Sequence, residues 1–134
     1  MIDYQTTLEN ITPDTLEGFF VGWLAAPSNT AFLQILHGSS HICLALEAGQ
    51  VVGFITAISD GILAAGIPLL EVLPSHQKQG IGQELVRRML EQLSLLYMID
   101  ISCDDDLVAF YERCGLQRSN VMYSRNYRPA YQLR

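Results

Sequence analysis

A strand-like run, a glycine-bearing turn and an amphipathic helix follow one another in the second half of the chain. Residues 62–73 are rich in aliphatic side chains and predict a strand that ends at Pro74. Residues 80–95 predict the strongest helix of the chain, because their apolar side chains share one helical face. A strand and a helix joined this closely, with a further strand after them, predict a layered α/β (α+β) domain with a mixed sheet.

The N-terminal part of the chain predicts one strand and two helices. Residues 2–8 fit a strand, and Thr12-Pro13-Asp14 has the order of an N-cap, a first-turn proline and an acid favoured at a helix start. Pro27 ends this first helix, and Ser28 begins a second that extends to about residue 36. The first helix carries apolar side chains at helical spacing: Leu16, Phe19, Phe20 and Trp23.

The remaining elements are a hairpin and a C-terminal strand, helix and strand. Residues 41–47 and 51–59 predict antiparallel strands around a turn at residues 48–50. Residues 97–103 predict a strand, residues 104–106 begin a short helix that Gly115 ends, and residues 121–127 predict a last strand. The predicted order is β-α-α-β-β-β-α-β-α-β within a single domain, residues 1–134.

The amino-acid composition limits the classes of protein to which the chain can belong. The chain has 134 residues, of which 49% are hydrophobic and 16% charged, enough for one core. No apolar run reaches the roughly 18 residues of a membrane span, and the N-terminus lacks the basic residues of a secretory signal. Cys43, Cys103 and Cys114 lack metal-ligand spacing. We therefore expect reduced, buried thiols, no metal, no membrane association and a cytoplasmic protein.

Charge is distributed unevenly along the chain, whose net charge is −6. All eight Lys and Arg residues lie at Lys78 or later, whereas residues 1–77 carry seven carboxylates. Because binding of DNA or RNA requires a basic stripe, we expect no nucleic-acid partner. The acidic N-terminal part suits a cationic amine as ligand, although an ordinary solvated surface would carry the same charges.

The turn before the long helix has the chemistry of an anion site. Its residues are Gln77-Lys78-Gln79-Gly80-Ile81-Gly82, and the first N–H groups of a helix have no partner within the helix, so a diphosphate can dock where glycine lets it approach. Lys78 adds a positive charge. A Walker loop would need Lys-Ser/Thr after Gly82, and a dinucleotide fingerprint would need a third glycine, so neither fits.

Two segments resemble motifs of the GNAT N-acetyltransferase superfamily. The stretch from Leu70 through Gly82 is similar to its acetyl-coenzyme A motif, a hydrophobic strand followed by Gln/Arg-x-x-Gly-x-Gly/Ala. The stretch from Phe110 through Leu116 is similar to its second motif, a helix with Phe-Tyr that ends in Gly-Phe or Gly-Leu. The resemblance implies a mostly antiparallel central sheet of six to seven strands with about four flanking helices, and acetyl-coenzyme A as the acyl donor.

The resemblance also implies roles for individual residues. The strand before the loop would splay from its neighbour, so that the pantetheine arm pairs with its free backbone at Leu70 and Val72, and the Leu70 N–H would polarise the thioester carbonyl. Tyr111 would donate a proton to the departing thiolate. Asp104 stands where many relatives have asparagine, which argues against a contact from that side chain. The diphosphate would be held by Gln77, Lys78, Gln79, Gly80, Ile81, Gly82 and Gln83.

The general base and the acceptor pocket are less defined. Relatives often place a Glu or His where this chain has Gly66 and Pro68, or use a chain of waters. Glu71, the nearest carboxylate, is the leading candidate for the base, as an acid whose pKa burial would raise. Strand alternation turns it to the face opposite Val72, so a structural acid or a position at a bulge is the alternative. Asp60 and Glu47 are lesser candidates. Three aromatic residues fit either an acceptor pocket or the core: Phe19, Phe20 and Trp23.

Together these features predict transfer of an acetyl group from acetyl-coenzyme A to a primary amine by direct attack in a ternary complex. The acceptor can be a small molecule or a peptide, and a homodimer is compatible with the sequence. Two alternatives stay open: a non-catalytic acyl-coenzyme A-binding module, suggested by the missing base, and a nucleotide-binding regulator.

Overall fold

The computed structural model describes residues 1–128, which form a five-stranded sheet with helices on both faces. The strands are β1 (Asp3–Gln5), β2 (His41–Glu47), β3 (Gln50–Ser59), β4 (Ala64–Val72) and β5 (Met98–Ile101). The α-helices are α1 (Asn29–Gly38), α2 (Ile81–Gln92) and α3 (Val108–Arg113). Single turns of 3-10 helix lie at Pro13–Leu16, Pro74–His76 and Asp105–Leu107.

The strands are arranged in the sheet in chain order. Neighbouring strands from β1 to β4 are antiparallel, and β4 and β5 are parallel, so the sheet is mixed and mostly antiparallel as predicted. The β2–β3 turn has positive φ at both central residues, Ala48 (51°) and Gly49 (81°), the backbone that two-residue hairpins favour.

An apolar layer covers each face of the sheet. On one face α2 buries its apolar stripe against β2 and β3, in a cluster that also contains Tyr111 of α3. On the other face α1 buries Phe32 and Leu36 against Phe54 and its neighbours. Because side chains alternate along a strand, β2 and β3 are buried on both faces, which explains their nearly continuous apolar sequences.

Two helix ends follow the predicted capping chemistry. The Ser28 hydroxyl accepts the N–H of Ala31 at 3.1 Å and begins α1. After α3, Gly115 has a left-handed φ of 95°, and the next N–H, of Leu116, donates to the Tyr111 carbonyl at 3.1 Å. This bond and that from Gly115 to the Glu112 carbonyl form a Schellman cap.

The predicted first helix, from Thr12 to Pro27, is wrong beyond its first turn. The 3-10 turn Pro13–Leu16 forms and then an irregular loop follows, in which Gly18 and Gly22 have left-handed φ values of 94° and 80°. These glycines break the helix, since they adopt a conformation that helical residues do not. Although no helix forms here, the Phe20 side chain is buried in the core.

The element count is lower than predicted. The described residues contain five strands and three α-helices instead of six to seven strands and about four helices. No strand forms over residues 121–127, and Val121, Met122, Tyr123 and Tyr127 are exposed. A strand needs a neighbour to accept its backbone hydrogen bonds, and the only described neighbour of β5 is β4.

Three observations bear on the other expectations from the sequence. Within residues 1–128 no helix is both long and apolar enough to cross a membrane. The same residues bring together no group of three or more His, Cys, Asp or Glu side chains that would suit a metal ion. All three cysteines are free, but only Cys43 is buried, and Cys103 is exposed, so the expectation of three buried thiols is wrong.

A charged network covers the exposed face of α2. The Glu84 carboxylate receives hydrogen bonds from Arg87 and Arg88, each at 2.6 Å, and Arg87 also reaches Glu91 at 3.1 Å. The Arg88 guanidinium lies 4.3 Å from the ring centre of Tyr4, which connects α2 to β1. The hydrogen bonds from Arg87, and then those from Arg88, lower the pKa of Glu84 to about 2.

Gly53 allows α2 to lie close to β3, which leads to a prediction about packing. A β-carbon at Gly53 would lie 3.2 Å from side-chain carbons of both Ile81 and Leu85. Gly53→Val should lower the free energy of unfolding by about 1–3 kcal/mol through overpacking. Gly66→Ala is the control, because a β-carbon there meets nothing within 4 Å. Equal urea midpoints for the two variants would contradict this account.

The Glu84 network leads to a prediction about pH. Because folding lowers the pKa of Glu84, its contribution to stability is complete above its ordinary value of 4.5 and is lost as the pH falls toward about 2. Glu84→Gln should therefore flatten the pH dependence of the urea midpoint in this window, by at most about 1 kcal/mol for so exposed a network. Arg87→Gln should have a smaller effect in the same direction, because Arg88 still bonds Glu84. An unchanged slope in both variants would argue against the network.

Candidate active site

The candidate site lies where β4 separates from β5. Their pairing extends only from Ala64 to Ile67, whereas β4 pairs with β3 up to Val72. A bulge places Ile67 and Pro68 opposite a single residue of β3, and bulges bend a strand. From Pro68 onward, β3 is the only described strand that pairs with β4, so one side of β4 is open.

The backbone of β4 presents hydrogen-bonding groups on this open side. The Leu73 N–H donates to the Val52 carbonyl of β3 at 2.9 Å. In a trans peptide the Val72 carbonyl points the opposite way, and it accepts a bond from the Gln77 side chain at 3.0 Å. Residues two apart in a strand repeat their orientation, so the N–H and C=O of Leu70 also face the open side.

The loop that follows leads into the N-terminus of α2. Lys78 and Gly80 both have left-handed φ values, 62° and 82°, and Gly80 is the N-cap of α2. The first N–H groups of α2 therefore emerge beside the end of β4, at the positive end of the helix dipole. Gly82 faces Phe110 and Val72, where an added β-carbon would lie 3.5 Å and 3.7 Å from their side chains.

The predicted loop residues thus lie together, with one difference in role. The Gln77 side chain is bonded to the strand it follows, so it holds the loop against β4. Lys78, Gln79 and Gly80 are exposed at the turn, whereas Ile81 is buried in the core. Beside them, a groove of about 420 Å³ lies between α2 and α3 and is lined by Gly80, Gln83, Glu84, Arg87, Leu90, Arg113 and Cys114.

Tyr111 is buried in the apolar cluster beneath the splayed strand. Only 7% of its surface is exposed, and Leu70 and Val72 pack against the same cluster. Burial, followed by the proximity of Cys103 and Cys114, raises the pKa of Tyr111 to about 12. The phenol therefore keeps its proton at neutral pH.

Glu71 lies on the opposite face of β4 from Leu70 and Val72. Its two carboxylate oxygens accept the N–H groups of Phe20, at 2.9 Å, and Val21, at 3.4 Å. The carboxylate thus has backbone partners 50 residues or more away in sequence. These contacts suit the structural alternative for Glu71 better than a free carboxylate acting as base.

The three aromatic candidates for an acceptor pocket divide between core and surface. Phe20 is buried, with its ring centre 4.9 Å from that of Phe32. Phe19 packs edge-to-face against Phe32 and Phe54. Trp23 is half exposed and contacts Phe20, with 5.0 Å between ring centres. Phe19 and Phe20 therefore belong mainly to the core, and only Trp23 presents a large exposed surface.

Sequence reasoning missed one contact beside the site. The His76 ring, in the turn before the loop, lies 3.0 Å from the Glu47 carboxylate and 2.7 Å from the Ser75 hydroxyl. Glu47 lies at the end of β2, so this pair connects the β2–β3 turn to the start of the loop. The hydrogen bond from His76 lowers the pKa of Glu47. No local pattern joins two residues 29 positions apart, so the sequence carries no signal for it.

The chain is similar in sequence and fold to proteins of one known family. The acetyltransferase (GNAT) family model matches residues 8–116. The fold is similar to the crystal structure of a Deinococcus radiodurans R1 protein proposed to be an acetyltransferase, with a TM-score of 0.92 and 53% sequence identity. The match covers 94% of this chain and 89% of that protein.

Curated relatives match shorter segments. The GCN5-related N-acetyltransferase 3, chloroplastic, of Arabidopsis thaliana is 44% identical over 69 residues, which is 50% of this chain and only 29% of that protein. The glucosamine 6-phosphate N-acetyltransferase of Schizosaccharomyces pombe is 31% identical over 84 residues, 57% of this chain and 76% of that protein. With a family match that covers most of its length, and with an open β4 edge leading into a glycine-capped helix, the chain belongs to the GNAT acetyltransferase family.

Proposed function

We propose that the protein transfers an acetyl group from acetyl-coenzyme A to a primary amine while both substrates are bound. The observation that carries this proposal is the open side of β4, whose backbone leads directly into the N-terminus of α2. An extended pantetheine arm is complementary to such an edge, and a diphosphate is complementary to such a helix start. The acceptor can be a small amine or a peptide amine.

The donor would be held mainly by backbone groups. Leu70 and Val72 face the open side of β4, and the amides from Lys78 to Gln83 lie at the α2 terminus. Lys78 adds the nearest basic side chain in sequence, in a chain that has no Lys or Arg before it. These groups fit an anionic, amide-containing ligand, because they offer N–H donors along one continuous path.

The reaction would proceed by direct attack of the amine on the thioester carbonyl carbon. The Leu70 N–H, which faces the open side of β4, would donate to the carbonyl oxygen, and such a donor stabilises the oxyanion of the tetrahedral intermediate. Collapse of that intermediate breaks the C–S bond. Tyr111 would then donate its proton to the departing sulfur, and because burial disfavours the phenolate, a proton released by the amine would return to it through solvent.

The acceptor amine must lose its proton before attack, and we propose that water removes it. Gly66 and Pro68 carry no ionisable side chain where relatives often have a base. Glu71, the nearest carboxylate in sequence, is engaged with two backbone N–H groups. Because these residues provide no side-chain base, a chain of waters is the remaining route for the proton.

The same observation favours a second candidate, a non-catalytic module that binds acyl-coenzyme A. Its donor site would be identical, and it would release no thiol with any amine. Thermal unfolding with acetyl-coenzyme A, ATP or NAD tests donor binding by itself, because a ligand at about 100 times its dissociation constant adds roughly 2.7 kcal/mol of stability. Stabilisation by ATP or NAD alone would instead support a nucleotide-binding regulator.

The free cysteines are consistent with a reducing compartment such as the cytoplasm.

Removal of the Tyr111 hydroxyl tests the proposed acid. Tyr111→Phe keeps the buried ring and should lower kcat by about 100-fold, with little change in the KM for acetyl-coenzyme A. Tyr123→Phe, at an exposed tyrosine, is the matched control. A free-thiol release assay measures both variants. Turnover equal to that of the wild type would remove Tyr111 from the mechanism.

Removal of the Lys78 charge tests the diphosphate site. Lys78→Asn is suitable because asparagine tolerates the left-handed φ of this position. We expect the KM for acetyl-coenzyme A to rise about fivefold at low salt, as for loss of an interaction of about 1 kcal/mol, with kcat unchanged. The difference should shrink at high salt, because salt screens an exposed charge. A KM insensitive to both the variant and the salt would contradict this role.

A further inference from the structure

A short loop crosses the end of β4 on the face opposite the side chains of Leu70 and Val72. Residues 18–24 form this loop, which we call the β4-crossing loop. Gly18 lies so close to Leu73 that an added β-carbon would be 3.2 Å from its side chain, and the next contacts are those of Phe20 and Val21 with Glu71. The loop is therefore attached at two points to the last residues of β4.

The conformation of the β4-crossing loop is unusual for its sequence. Three of its residues have left-handed φ values: Gly18, Gly22 and the non-glycine Phe20, at 62°. A non-glycine residue adopts this conformation only where its surroundings compensate. At Phe20 the compensation is visible, since the N–H is bonded to Glu71, the ring is buried, and the carbonyl accepts the Trp23 N–H at 3.2 Å.

The same conformation turns three apolar side chains toward solvent. Val21 is 61% exposed, Trp23 50% and Leu24 93%. They follow the buried Phe20 directly, and the Trp23 ring rests against the Phe20 ring. Exposed apolar side chains that lie close together are characteristic of a surface that binds a ligand.

From this geometry we infer that Glu71 is a positioning residue: its carboxylate fixes the β4-crossing loop so that Val21, Trp23 and Leu24 form a platform for an acceptor amine with an apolar substituent. This inference rests on the proposed function. Glu71 lies between Leu70 and Val72, whose backbone faces the donor, so the platform adjoins the reacting thioester. The acceptor would place its amine toward β4 and its aromatic or aliphatic group against Trp23.

Charge supports the same occupant. Residues 1–77 carry seven carboxylates and no Lys or Arg, and exposed Glu17 directly precedes the loop. A protonated amine is attracted to such a surface, and the apolar part of the same molecule can contact the platform. An anionic acceptor would be repelled by the Glu17 carboxylate next to the loop.

Trp23 permits a direct test, because it is the single tryptophan of the chain. With coenzyme A present, so that no turnover occurs, 2-phenylethylamine should produce a saturable change in tryptophan fluorescence, and ethylamine at the same concentrations should not. Leu24→Ala should weaken the binding of 2-phenylethylamine about threefold to tenfold. Leu95→Ala, at an equally exposed leucine on another part of the surface, should leave it unchanged.

Variants of Glu71 separate a positioning role from a role as base. Glu71→Gln keeps one acceptor oxygen but cannot take up a proton, whereas Glu71→Ala loses both contacts with the loop. We expect Glu71→Gln to retain most of the kcat with both amines, and Glu71→Ala to raise the KM for 2-phenylethylamine about tenfold without changing that for acetyl-coenzyme A.

Two results would overturn the inference. One is a fluorescence titration in which 2-phenylethylamine and ethylamine behave alike. The other is a loss of more than about 100-fold in the kcat of Glu71→Gln with both amines while acetyl-coenzyme A still stabilises the protein, since Glu71 would then act as the base. A saturable fluorescence change without thiol release from any amine would instead support the platform and refute the proposed acetyl transfer, so the two failures are distinguishable.

Discussion

The one-sided pairing of β4 is the constraint on which the site depends. Hydrogen bonds to β3 hold β4 up to its last residue, whereas β5 stops at Ile101, opposite Ile67. The bulge at Ile67 and Pro68 marks the separation. Because β4 is fixed on one side, its free backbone groups keep a defined direction on the other. The sheet also positions α2, whose first turn lies against Val72 through Gly82. The open edge and the proposed anion site at the start of α2 are therefore parts of one rigid arrangement.

Alternation along β4 separates two tasks between neighbouring residues. Leu70 and Val72 pack their side chains toward α2 and Tyr111 and present their backbone to the cleft. Glu71 projects to the α1 face and holds the β4-crossing loop. Consequently the residues of the proposed donor contacts and the residue that holds the proposed acceptor surface are neighbours in sequence, but their side chains lie on opposite faces of the strand. This arrangement brings two substrates together without requiring them to share contacts.

Sequence patterns predicted the elements whose signals are local. The β2–β3 hairpin, α2 and the end of α3 depend on alternation, helical periodicity and Gly115, all within a few residues. The prediction of a first helix was wrong, because its apolar residues have helical spacing but Gly18 and Gly22 adopt left-handed φ values. The role of Glu71 depends on contacts with Phe20 and Val21, about 50 residues away, which no local pattern contains. In the same way, the exposure of Trp23 follows from the loop and not from its own neighbours in sequence.

The use of main-chain groups on the open side of β4 has a consequence for how such a protein can change over evolution. N–H and C=O groups are common to nearly all residue types, so substitutions at positions 70 and 72 preserve the donor surface as long as the strand remains apolar enough to pack. The other side of the same strand depends on a particular carboxylate and on three exposed apolar side chains. Under the proposed function, single substitutions on the acceptor side can therefore change the preferred amine while the main-chain contacts to the donor persist.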